Sequence, residues 1–73
     1  MNKIAKVNHP VVKNIVRVIN DKGFKQNAIA ENAGMTPQAL CDVIGDRRIL
    51  KINEIVRLAA ALGVDISELF KTD

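Results

Sequence analysis

Two polar side chains near the middle of the sequence, Gln38 and Asp42, stand four residues apart and would share one side of a helix. A glutamine amide both donates and accepts, so Gln38 can bond adenine in a bidentate manner through N6 and N7. A carboxylate only accepts, so Asp42 could bond cytosine N4, although nearby phosphates would repel it. Arg47, Arg48 and Lys51 follow and could pair with phosphates. These residue types are compatible with contact to nucleic acid but do not by themselves identify it.

Positive charge is concentrated on either side of this polar pair. Residues 1–25 carry a net charge of +5, residues 26–46 carry −3 with no basic residue, and residues 47–57 carry +3. The whole chain has a formal charge of +3 and a sequence pI near 9.4. This balance is compatible with a polyanionic partner without identifying one. If the central segment faces phosphates, neutralisation must come from the two basic flanks.

Several classes of protein are excluded by composition. One cysteine and one histidine cannot form an internal disulfide or a four-ligand zinc site, and no metal site is expected. The sequence contains no serine–histidine–acid set and no glycine loop that would hold a phosphate, so neither an enzyme nor a cofactor is predicted. No apolar run approaches the ~20 residues of a membrane helix, and the start MNKIAKVNHP lacks a signal-peptide core. We expect a cytoplasmic protein with no membrane contact.

The apolar pattern is helical throughout, and no segment alternates with the period of a strand. The sequence therefore predicts an all-α fold of five helices in one compact domain. The predicted helix starts are Asn8–Pro10, Gln26, Thr36–Pro37, Lys51–Asn53 and Asp65. The four glycines, at positions 23, 34, 45 and 63, each follow an apolar stretch, and we expect all four to be left-handed C-caps. Residues 1–9 are predicted to form an N-terminal arm and residues 10–73 the domain.

Two capping signals and four core positions complete the predicted fold. Thr36 is a capping hydroxyl followed by proline at the first helical position, and Asp65 with Glu68 matches a capping box. The apolar side chains expected in the core include Ile52, Leu62, Leu69 and Phe70. An exposed part of the last helix could instead form a dimer contact.

The connection between the second and third predicted helices is the most informative segment. Only Gly34 and Met35 separate Ala33 from the cap at Thr36. So short a turn forces the two helices to cross steeply, which is typical of a helix-turn-helix unit. The second helix of such a unit can enter the major groove of DNA with its first turns facing base edges.

Two stretches carry a resemblance to a known family: KQNAIAENAGMT at residues 25–36 and LAAALGVDISELF at residues 58–70. From Ile15 to Phe70 the chain resembles the lambda-repressor-like domain of Cro and Xre-type transcriptional regulators. The resemblance implies sequence-specific binding to double-stranded DNA, usually by a homodimer on a palindromic operator. It also implies regulation of transcription, with repression the expected outcome. The same domain could alternatively serve as a protein-interaction module, such as an antitoxin or an antirepressor.

The resemblance assigns roles to several residues. Gln38 would contact bases, as would Asp42, and Pro37 occupies a position that reads bases in some relatives. Gln26 matches a family glutamine that contacts a phosphate and steadies the reading glutamine. The remaining candidate phosphate contacts are Asn27, Thr36, Arg47, Arg48 and Lys51, and Lys3 and Lys6 could form an arm around the duplex.

Two details of the loop after the third helix bear on these roles. Two arginines at a loop tip have little structural use, which favours phosphate contact for both Arg47 and Arg48. The family commonly has glycine where Asp46 stands, whereas this chain has its glycine at position 45.

Overall fold

The chain forms five helices in the part that the structure, a computed structural model, describes: residues 3–72, with side chains described from residue 10. The helices are α1 (Lys3–Lys22), α2 (Gln26–Asn32), α3 (Pro37–Ile44), α4 (Ile52–Leu62) and α5 (Ile66–Leu69). No residue in this range is assigned to a strand. The all-α, five-helix prediction is confirmed, and the starts of α2, α3 and α4 agree with the sequence pattern.

The start of the first helix was predicted wrongly. Helix α1 begins at Lys3, and Pro10 lies inside it instead of opening it. Proline has no backbone N–H to donate within a helix. It is therefore favoured in the first turn, where that N–H would have no helical partner, but its presence does not prove that a helix starts there. The boundary predicted between an arm and the domain therefore falls within α1. The side chains of Lys3 and Lys6 lie outside the described residues, so their contribution to an arm stays a prediction.

The core is built where the helices meet. Helix α1 packs against α3, α4 and α5, while α2 packs against α3 and α4. The largest fully buried side chains are Ile15, Leu40, Val43, Leu58, Leu62 and Leu69. Leu62 and Leu69 were predicted to be core residues, and both are confirmed. Since every described helix contributes to this cluster, the position of α3 is fixed by contacts to its neighbours.

Two other predicted core residues are exposed. Ile52 is 71% exposed and Phe70 is 48% exposed. Ile52 is the first residue of α4, and Phe70 is the C-cap of α5, so each stands at the end of an element where no other described helix covers it. Helical periodicity identifies a face but does not report which part of that face a neighbour covers.

The short last helix is attached to α1 by a buried amide. Asn14 is 2% exposed, and its Nδ2 donates to the carbonyl oxygens of Leu69 and Lys71, each at 2.9 Å. The capping box expected at the start of α5 is wrong: Asp65 is the N-cap but makes no side-chain capping bond. Glu68 instead forms an ion pair with Lys71 at 2.6 Å, on the side away from the cap.

Candidate nucleic-acid interface

Helix α3 presents one apolar side to the core and one polar side to solvent. Thr36 caps it as predicted, because its Oγ1 accepts from the backbone N–H of Ala39 at 3.1 Å. Leu40 and Val43 are fully buried, whereas Gln38 is exposed. Pro37 occupies the first helical position and is also exposed. The helix is therefore anchored by its apolar side with Gln38 directed outward.

The turn before α3 is closed by hydrogen bonds of a Schellman motif. The N–H of Met35 donates to the carbonyl of Ala30 at 2.9 Å, and the N–H of Gly34 donates to Glu31 at 3.0 Å. Gly34 has a φ of +73°, a conformation that glycine adopts without a Cβ penalty. Arg57 of α4 donates from Nε to the Ala33 carbonyl at 2.9 Å. The turn is thus held both by its own backbone and by α4.

The C-terminus of α3 ends in the same motif, but not at the residue expected. The N–H of Arg47 donates to the Asp42 carbonyl at 2.7 Å, and the N–H of Asp46 donates to Val43 at 3.1 Å. This pattern places Asp46, with a φ of +59°, at the left-handed position, whereas Gly45 has a φ of −83°. The prediction of a left-handed Gly45 is therefore wrong, while Gly23, Gly34 and Gly63 have the positive φ values expected.

The Arg47 side chain lies directly over Gly45. A Cβ atom at residue 45 would lie 2.5 Å from Arg47 Nη1 and 2.9 Å from its Cζ. The Arg47 side chain folds back over this gap, and its Nε donates to Asp42 Oδ1 at 3.1 Å. The Arg47 side chain is 59% exposed and the Asp42 side chain is 32% exposed.

The same Asp42 oxygen also accepts a hydrogen bond from Gln38. Gln38 Nε2 lies 3.0 Å from Asp42 Oδ1, at the i,i+4 spacing at which glutamine and aspartate meet on a helix. The hydrogen bond from Gln38, followed by that from Arg47, lowers the pKa of the Asp42 carboxyl below its usual value. The two candidate DNA contacts Gln38 and Arg47 are therefore joined through a third candidate, Asp42.

Arg48 and Lys51 belong to a second cluster at the start of α4. Arg48 Nη2 pairs with Glu54 Oε2 at 2.6 Å, and the Lys51 backbone N–H donates to Glu54 Oε1 at 3.0 Å. Glu54 is only 7% exposed, while the Lys51 side chain is exposed. The premise that both loop arginines lack structural use is wrong, because Arg48 pairs with a buried carboxylate and Arg47 with Asp42.

The residues that begin α2 form no hydrogen bond with this network among the described side chains. Gln26 is partly buried and Asn27 is exposed. Gln38 bonds Asp42, and no bond between Gln26 and Gln38 is present among the described side chains. The expectation that Gln26 contacts a phosphate and steadies Gln38 concerns the complex with DNA and stays a prediction. The i,i+4 spacing of Gln38 and Asp42 was the signal that could have identified the actual partner.

A shallow groove of about 400 Å³ runs beside α3. Its lining includes Thr36, Gln38 and Asp42 together with the paired side chains of Arg48 and Glu54. Within the described residues no cluster of histidine, cysteine or acidic side chains could hold a metal ion, and no helix has both the length and the apolar character to span a membrane. The candidate surface thus combines hydrogen-bonding groups on α3 with guanidinium groups in the following loop.

Comparison with known proteins assigns this arrangement to a family. A family model described as helix-turn-helix matches residues 15–69. The fold is similar, with a TM-score of 0.78 and 24% sequence identity, to the crystal structure of the restriction-modification controller protein C.AhdI from Aeromonas hydrophila. That alignment covers 84% of this chain and 92% of the other. No curated protein matches the sequence significantly. Because the family model spans the turn, α3 and the basic loop, the chain belongs to the Cro/C1-type helix-turn-helix family of DNA-binding transcriptional regulators.

Proposed function

We propose that α3 reads a specific double-stranded DNA sequence from the major groove and that binding represses transcription. The observation that carries this proposal is the exposure of Gln38 on α3 opposite the fully buried Leu40 and Val43. An outward glutamine amide in the first turns of a recognition helix can bond a base edge in bidentate fashion. Pro37 and Asp42 border Gln38 along α3 and are the other candidate base contacts.

Phosphate contacts would come from the residues around α3. The candidates are Gln26, Asn27, Thr36, Arg47, Arg48 and Lys51. Lys51 is exposed, and the Arg47 side chain is 59% exposed and carries five N–H donors. If about four to six phosphates are neutralised per subunit, log affinity should fall with log salt by about 0.9 for each. Lys3 and Lys6 are proposed to add to this total from the N-terminal segment.

A homodimer on a palindromic operator is the proposed assembly. One small domain makes few base contacts, so two copies on half-sites about one helical turn apart would give the specificity that one lacks. Exposed apolar side chains are available for pairing: Ile49 is 49% exposed, Ile52 71% and Val56 50%. Ile52 and Val56 lie one turn apart on α4 and can form a continuous surface.

The biological role proposed is control of a gene set from within the cytoplasm, where such an operator would be located. The similar fold belongs to a restriction-modification controller protein. A comparable controlling role for this chain is consistent with the family.

Selection from a random duplex pool tests the function directly. We expect the protein to enrich one palindromic sequence, with binding that weakens as salt is raised from about 50 to 200 mM. Retention of no duplex at low salt, together with tight binding to a single protein partner, would contradict DNA reading. That result would support the antitoxin or antirepressor function instead.

A further inference from the structure

The amide of Gln38 does not have one fixed direction in an isolated helix. A glutamine side chain can present its oxygen or its nitrogen to a given point by rotating about its last torsion. The two orientations offer different donor and acceptor patterns to a base pair, so an unconstrained amide discriminates poorly between bases. Selectivity at this position therefore depends on what holds the amide.

Asp42 supplies that constraint in this chain. Its Oδ1 accepts from Gln38 Nε2 at 3.0 Å, and a carboxylate has no proton with which to bond the amide oxygen instead. Only the orientation with nitrogen toward Asp42 satisfies the contact. The amide oxygen and the second N–H of Gln38 are then left for a base edge.

Asp42 is itself held in place from the other side. Arg47 Nε donates to the same Oδ1 at 3.1 Å, and the guanidinium reaches it across the space left by Gly45. The positive charge of Arg47 offsets the repulsion that an acidic side chain would otherwise exert on nearby phosphates. This explains how a carboxylate can occupy a surface that faces a polyanion.

From this geometry we propose that Asp42 is a positioning residue that sets the base preference of Gln38 without itself contacting DNA. Arg47, seated over Gly45, holds Asp42 in that role. The proposal rests on the proposed function, because it requires Gln38 to read a base pair. It replaces the expectation that Asp42 bonds cytosine.

The test uses the duplex enriched from random DNA by the wild-type protein, all single-base-pair variants of that duplex, and a scrambled duplex of equal length. Affinities are measured for Asp42→Ala, Asp42→Asn, Gln38→Ala and the Gln38→Ala/Asp42→Ala double variant. Asp21→Ala, which removes an exposed acidic side chain of α1, is the control for net charge. Alanine has the best helix propensity and Asp42 is partly exposed, so the alanine variant should fold, which circular dichroism verifies.

We expect Asp42→Ala to reduce the preference at the base pair read by Gln38 by about two- to tenfold, as for loss of one hydrogen bond. Affinity for the scrambled duplex should not fall, since an acid has been removed. Asp42→Asn should lose less of the preference than Asp42→Ala but not retain all of it, because its oxygen can still accept from Gln38 while its NH2 group can also donate to the Gln38 oxygen in the opposite orientation. The double variant should lose no more preference than Gln38→Ala alone.

Two results would overturn the proposal while the reading role of Gln38 stands. One is an unchanged preference in Asp42→Ala. The other is a changed preference at a different base pair, additive with Gln38→Ala, which would make Asp42 a base contact. If Gln38→Ala alters no preference at all, the proposed reading function fails first and the positioning role fails with it.

Discussion

Asp46 adopts the left-handed backbone conformation that was expected at the neighbouring Gly45. Its φ of +59° at the end of α3 is the left-handed conformation that costs an L-residue roughly 1–2 kcal/mol, less for aspartate than for most. At the C-terminal ends of α1, α2 and α4, the left-handed position is occupied by glycine.

Asp46→Gly is therefore expected to stabilise the fold. Glycine removes the left-handed strain but adds entropy to the unfolded chain, so the expected gain is about 0.5–1 kcal/mol in the free energy of unfolding. Urea denaturation measures it. Asp46→Asn is the matched control for charge and should change little, whereas Asp46→Ala should destabilise. A loss of stability in the glycine variant would contradict this account of the α3 terminus.

The hydrogen bond between Gln38 and Asp42 should affect the titration of the Asp42 carboxyl in the absence of DNA. Because this bond and Arg47 lower the pKa of Asp42, the stability they contribute is present above the usual carboxyl pKa. That contribution is lost as the pH falls through the lowered pKa of the folded state. NMR titration of the Asp42 carboxyl should give a higher midpoint in Gln38→Ala than in the wild type. Equal midpoints would mean that the two side chains do not interact in solution.

At the scale of elements, the buried side chain of Asn14 links α1 to the end of α5. Asn14 bonds two carbonyls at the end of α5, and its Oδ1 accepts from Arg17 Nη2 at 2.6 Å. Helix α5 has only four residues, which is too short to be stable without such tertiary contacts.

Asn14→Ala should destabilise the protein by about 1–3 kcal/mol, because two carbonyl groups lose their donor in a buried position. Hydrogen exchange should show the largest loss of protection in α5. Asn14→Asp is an informative companion, since it keeps the oxygen that accepts from Arg17 but removes the amide donor. Full protection of α5 in either variant would contradict the proposed attachment.

Helix starts and ends were predictable from the sequence to the extent that short-range chemistry decides them. Thr36–Pro37 and Gly34 marked the turn before α3 correctly because capping and positive φ depend on adjacent residues. The start of α1 was not predictable in this way, since Pro10 is tolerated inside the helix. The pairing of Arg48 with Glu54 also needed the tertiary fold, which brings the loop onto α4.

At the scale of the whole molecule, Ile49, Ile52 and Val56 expose apolar surface on α4 and in the loop before it. Packing within the single domain does not account for this exposed surface. Ile52 was expected in the core because it continues the periodic pattern, yet it is 71% exposed. Together with Val56 it offers the surface on which the proposed homodimer would pair. Such surfaces mark interaction sites more often than isolated exposed residues do.

Ile52→Lys should therefore weaken self-association by about tenfold or more, equivalent to ~1.4 kcal/mol, because a lysine would replace a buried isoleucine in the pair. Sedimentation equilibrium measures the change. Asn20→Lys adds the same charge at an exposed position of α1 and should leave association unchanged. A wild-type protein that is monomeric at all accessible concentrations, with or without DNA, would contradict the homodimer.

The central claim is that an outward Gln38 reads a base pair while the following loop binds the backbone. The most direct test compares Gln38→Ala with Lys51→Ala on the selected duplex and on a scrambled duplex. Gln38→Ala should lower affinity for the selected duplex by about 5- to 150-fold, as expected for a lost bidentate contact, with little change on the scrambled one. Lys51→Ala, which removes an exposed side chain at the end of the loop, should weaken both duplexes to a similar extent. Equal losses on the two duplexes for Gln38→Ala would contradict the account.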